Sequence, residues 1–99
     1  MYLIDIVIDQ VKVSGEQAET ILNQHRQWFT KHFQAGNFLV LGPYLDQAGA
    51  GVILAQTADR ATLDRILQED VYYPDLARYT VREFKAAMVA DNMAEFQGK

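Results

Sequence analysis

The sequence has no cysteine, which rules out disulfides, thiolate metal sites and cysteine nucleophiles. Basic side chains are also scarce: 9 lysines and arginines stand against 13 aspartates and glutamates, a formal net charge of −4, and no basic cluster offsets the balance. A phosphate backbone or an anionic membrane is repelled on average, so no nucleic-acid partner is expected. No uninterrupted apolar run approaches the ~20 residues of a membrane span. The opening MYLIDIVIDQ is apolar but carries Asp5 and Asp9 and lacks the basic start and small-residue cleavage site of a signal peptide. The chain is accordingly expected in the cytoplasm, with no membrane association. No repeat, low-complexity tract or linker divides it.

Hydrophobic residues make up 49% of the chain and charged ones 22%, the proportions of a globular rather than a disordered protein. Its 99 residues suit one domain around a single core. A domain of that size buries a modest fraction of its surface, so association into a homodimer or higher homo-oligomer is a natural way to bury more.

Residues 2–8 (YLIDIVI) mix β-branched and aromatic residues around one charge and predict a first strand. Ser14 with Gln17 three residues later reads as a capping box, Glu16 and Glu19 favour the first turns, and Gly36 supplies a stop, so a helix is expected over about 15–35. FLVLG (38–42) predicts a strand ended by Gly42-Pro43; DQAGAG (46–51) is turn chemistry, and GVILAQ (51–56) is the returning strand. Asp59 can cap a second helix whose stripe is Ala61, Leu63, Ile66 and Leu67, ending before Asp70. VYYPDLA is an aromatic loop broken by Pro74, and RYTVREF (78–84) alternates as a fourth strand with Tyr79, Val81 and Glu83 on one side. Residues 86–99 form a tail with weak helical spacing that either docks, with Met88, Met93 and Phe96 as candidate anchors, or frays. The order βαββαβ gives an α+β fold of ferredoxin-like type, a four-stranded antiparallel sheet with two helices on one face. Its strands are apolar on both faces, and a second copy is the simplest cover for the open one.

His25 is the anomaly. It falls on the apolar stripe Ala18, Ile21, Leu22, His25, Trp28, Phe29 of the first helix, where spacing calls for a hydrophobe. Either it is a core imidazole satisfied by one hydrogen bond, or it is a proton-transfer residue with an acidic partner. Asp5, Asp46, Glu69/Asp70 and Asp75 are candidate partners. Asp70 stands out, because at the end of the second helix its charge opposes the dipole and has no helix-stabilising purpose there. Its two readings are a solvated turn carboxylate and an orienting group that fixes the tautomer of His25. Tyr72 and Trp28 can wall a small aromatic pocket or simply fill the core. His32 is too far from His25 along the helix for a metal pair and is expected at the solvent edge, against the last carbonyls of its helix. No metal and no cofactor is expected, and no hydroxyl has the neighbours of a hydrolase triad.

These residues carry a resemblance. The apolar first strand, the helix-borne His25, the segment GNFLVLGPY (36–44), Asp70 followed by Val71-Tyr72, and a last strand ending near Phe84 together resemble the YciI-like (YCII-related domain) family over residues 1–85. The resemblance implies a ferredoxin-like domain that dimerises into an α/β barrel. It also implies a His/Asp pair in a cleft as the active centre, here His25 and Asp70, with Gly42 and Pro43 shaping the wall. Some members eliminate chloride from, or isomerise, breakdown products of aromatic compounds. This chain departs from the usual Asp-Pro-aromatic pattern, having Val71 where proline is common and Pro74 three residues on. Two functions follow as expectations: a lyase- or isomerase-type enzyme using the dyad for general acid/base chemistry on a small organic, aromatic-derived substrate, or a non-catalytic ligand-binding or interaction module built on the same dimer.

Overall fold

A computed structural model describes residues 1–99. The chain runs β1 (Tyr2–Ile8), α1 (Ala18–Gln34), β2 (Phe38–Pro43), β3 (Ala50–Ala55), α2 (Arg60–Gln68) and β4 (Ala77–Glu83), followed by a single 3-10 turn at Met93–Phe96. The strands form one sheet in the order β2-β3-β1-β4, and every pairing is antiparallel. This is the expected α+β, ferredoxin-like arrangement.

Alternation decides which face is buried. Tyr2, Ile4 and Ile6 of β1 are buried, and their register partners include Ala55 and Ile53 on β3 and Val81 and Tyr79 on β4. Directly opposed residues share a face of the sheet, so this set is the floor on which the helices lie. Leu63, Ile66 and Leu67 of α2 and Trp28 of α1 complete the core from above. Burying one such side chain contributes about 1.5–3 kcal/mol. The opposite face presents Leu3, Asp5 and Val7 of β1 and, by register, Val52 and Leu54 of β3 and Arg78, Thr80 and Arg82 of β4. None of these is buried.

Local chemistry explains the ends of the elements. At Asp59 the carboxylate accepts the Thr62 backbone N–H at 2.8 Å, capping α2 as expected. Gly36 ends α1 at φ +82°; its own N–H reaches the Phe33 carbonyl and the Asn37 N–H the His32 carbonyl, a Schellman closure that requires the left-handed residue. Pro43 closes β2 at the sheet edge, where its missing N–H costs no ladder bond.

Three expectations need correction. The capping box does not form: α1 begins at Ala18, Gln17 is its cap residue, and no side chain caps it. Asp9 prevails instead, accepting the N–H groups of Val11 and Lys12 and winding a turn whose Val11 carbonyl takes the Ser14 hydroxyl. The tail is not an anchored helix, since Met88, Met93 and Phe96 all stay exposed and the only helical part is the 3-10 turn. His32 is buried rather than at the solvent edge, for reasons given below.

Candidate active site

Two helices deliver the central pair. His25 points inward from the middle of α1, and Asp70 follows the last turn of α2, where its N–H still bonds the Leu67 carbonyl. The His25 Nδ1 and Asp70 Oδ1 atoms lie 2.7 Å apart, and both residues are buried. The second carboxylate oxygen, Oδ2, accepts the Tyr79 hydroxyl at 2.6 Å. A carboxylate can only accept, so the shared proton sits on Nδ1, and in the neutral ring the lone pair is left on Nε2. That second nitrogen has no protein partner, yet no fully buried side-chain nitrogen or oxygen in the molecule lacks one. Nε2 therefore keeps an accessible surface.

His25 lines a cavity of about 550 Å³ together with, among others, Leu22, Phe29, Leu41, Gly42, Pro43 and Tyr72. It lies between α1 and the end of the sheet where β1 finishes and the β2–β3 hairpin turns. Gly51 is a structural requirement there, because a Cβ at that position would come within 2.9 Å of the Gly42 carbonyl oxygen. The His25 ring is walled by aromatic rings, with centroids 4.2 Å away for Phe29 and 4.7 Å for Tyr72. Burial is the main reason the Tyr79 phenol is held far above its ordinary pKa, with the Asp70 hydrogen bond adding to it. Burial likewise raises Tyr72, with the Asp70 charge second. Both stay protonated donors through the neutral range.

Of the other sequence candidates, Gly42, Pro43 and Tyr72 line the cavity, whereas Trp28 does not. Trp28 stands in the core, and its indole N–H donates to the Ile66 carbonyl at 2.9 Å in a buried bond, joining the Glu69 N–H on the same oxygen near the end of α2. Of its two readings, pocket wall and core, Trp28 takes the core. Asp5 accepts the Tyr44 hydroxyl on the sheet's open side, and Asp46 and Asp75 are exposed, so Asp70 is the carboxylate that reaches His25.

A second tie lies one heptad along α1. His32 Nδ1 accepts from the Asn37 side-chain amide at 3.1 Å, and Nε2 donates to Glu69 Oε1 at 3.3 Å. Lys31 binds the same oxygen. Adjacent carboxylates, Glu69 and Asp70, thus hold two histidines of α1, with the Trp28 to Ile66 bond between them. The sequence reading missed Tyr79 as a site residue. Its signal was present: alternation puts it on the buried side of β4, and a phenol there needs an acceptor.

A family model, the YCII-related domain, matches residues 1–85. The chain belongs to the YCII-related domain family. No curated protein matches it. The YCII-related domain covers every strand, both helices, the His25–Asp70–Tyr79 chain of hydrogen bonds and all residues of the cavity lining. The exposed segment with the 3-10 turn lies beyond the matched residues of this YCII-related protein.

Proposed function

We propose that the protein is a small enzyme in which His25 Nε2 acts as a general base, and on return of the proton as a general acid, in a lyase- or isomerase-type reaction. The observation that carries the reading is the division of labour on one imidazole. Nδ1 is committed to a buried carboxylate that is itself fixed by Tyr79, and Nε2 is uncommitted at a cavity large enough for a small organic molecule. Asp70 selects the tautomer and stabilises the imidazolium that forms on proton abstraction. Apolar walls limit competing water, and Gly42, Pro43 and Tyr72 contact the substrate. Aromatic-derived rings suit such walls, and an acidic carbon next to a carbonyl suits a lone imidazole base.

The same reading includes a homodimer. Leu3, Val7, Val52 and Leu54 form an uncovered apolar field on the open face of the sheet, and a second copy laid sheet against sheet buries it.

The test uses a panel of small carbon acids, including unsaturated lactones and cyclic enones, incubated with the protein in deuterated water and followed by NMR. Wild-type protein is expected to exchange a carbon-bound proton of at least one member. His25→Gln should lower that rate by about 10²–10⁴-fold with the fold intact by circular dichroism. Undiminished exchange by the variant, or a panel left wholly unexchanged by wild type, contradicts the base assignment and favours a non-catalytic binding module.

A further inference from the structure

We infer that the cavity is built for a small carboxylate with an apolar body, its anionic group held by Arg26; this rests on the cavity being the reaction site. The molecule is acidic overall, with 13 aspartates and glutamates, yet none of the 19 residues lining the cavity is acidic. Asp70 stands behind His25 with its side chain wholly buried and both oxygens already accepting, and Asp5 reaches the lining only through the Tyr44 hydroxyl that it accepts.

Against that background Arg26 is the one lysine or arginine in the lining. It follows His25 on α1, and it is free: the ion pairs of the molecule use Lys31, Arg60 and the two histidines, and no hydrogen bond engages the Arg26 guanidinium. Arg26 and Tyr72 both line the cavity, and the Arg26 charge acts against the effect of burial at the Tyr72 phenol. An unpaired, solvent-exposed guanidinium at a lining without acidic side chains complements a planar anion, which it can bind through two parallel N–H donors.

The remaining polar lining refines the class. Gln10 and Gln47 are the side-chain amides of the cavity, and neither is engaged by another side chain. The Gln10 amide rests on Gly49, where a Cβ would come within 2.7 Å of its nitrogen. One cation, two neutral amides and eleven hydrophobic residues fit a monoanion on an apolar frame; a phosphate dianion would be left under-compensated. Arg26 at the anionic end and His25 Nε2 at the reacting carbon then give such a molecule two points of attachment.

The test is a titration of the 15N-labelled full chain with phenylacetate, phenylacetamide and phenyl phosphate, following the His25 ring and Arg26 side-chain resonances. Phenylacetate should shift both saturably and bind about tenfold or more tighter than the amide. Arg26→Gln should bring the two within about twofold, and Arg26→Lys should restore part of the preference. Equal affinity for acid and amide, a preference that survives Arg26→Gln, tighter binding of phenyl phosphate, or no saturable shift overturns the inference. Binding needs no turnover, so the two readings fail separately. Acid preference without carbon-acid exchange sinks the base assignment alone, and exchange without acid preference sinks this inference alone.

Discussion

At the scale of single residues, Asp70 is the pivot, because each of its oxygens has a different obligation. Tyr79→Phe deletes the donor to Oδ2 and leaves a buried acceptor unpaired, which should cost about 1–3 kcal/mol in chemical denaturation. It should also lower exchange activity, since the orientation of Asp70 then rests on His25 alone. A variant as stable as wild type would show that water replaces the phenol freely. Alkaline titration gives an independent check. The Tyr79 phenol is raised in the folded state by burial and by Asp70, so its contribution to stability is complete below the ordinary tyrosine pKa and is lost as pH rises beyond it. Absorbance of tyrosinate should therefore show Tyr79 ionising only with unfolding, and a reversible ionisation of Tyr79 in the native protein would contradict its placement. His25 and Asp70 were legible in the sequence because each broke a local rule, an imidazole on an apolar stripe and an acid at a helix C-terminus. Tyr79 broke no rule, since a tyrosine in a strand is ordinary, and only the packing of the α2 end over β4 brings Asp70 to its hydroxyl. His32 misled for a related reason: the last turn of a helix is a normal place for histidine, and nothing local announces that Glu69 will cover it.

At the scale of elements, α1 and α2 are joined by polar ties at successive levels, with Leu63, Ile66 and Leu67 packing α2 onto the sheet. Trp28→Phe keeps the ring in the core and removes the bond to Ile66, so a loss of about 1 kcal/mol is expected by denaturant titration. A loss of several kcal/mol would mean that packing rather than the hydrogen bond dominates. Glu69 is held below the usual carboxylate range, chiefly by Lys31 and further by His32. Its contribution is present above the ordinary glutamate pKa and fades as pH falls through the lowered value. Glu69→Gln should flatten the acid limb of a stability-against-pH curve, and an unchanged limb would show that the tie is not felt. The strands, both helices and the Asp59 cap could be read from periodicity and capping chemistry. The start of α1 could not, because Asp9 and Ser14 are both good caps and only the path of the chain after β1 decides between them.

At the scale of the whole molecule, the sheet has one face under its helices and an opposite face on which Leu3, Val7, Val52 and Leu54 stand beside the polar residues of β4. If a second copy covers it, sedimentation of the wild type should give a dimer, and Leu54→Arg, placing a charge beside Leu3 in that field, should give a folded monomer. A wild-type monomer at high micromolar concentration would contradict the pairing. The exposed segment after Phe84 is tied to the body where the Phe84 N–H meets the Met1 carbonyl and the Met1 amino group donates back. Its anchors could not be judged from spacing, since helical spacing of Met88, Met93 and Phe96 says nothing about whether a surface lies beneath them.

The central claim is that Asp70 holds the neutral His25 ring with its proton on Nδ1 and its lone pair facing the cavity. Long-range 1H–15N correlation spectra of the imidazoles report this directly. A His25 signal with Nδ1 protonated and Nε2 unprotonated, reverting to a mixture of tautomers in Asp70→Asn, is the predicted result. A neutral His25 ring protonated on Nε2 in the wild type would contradict the account.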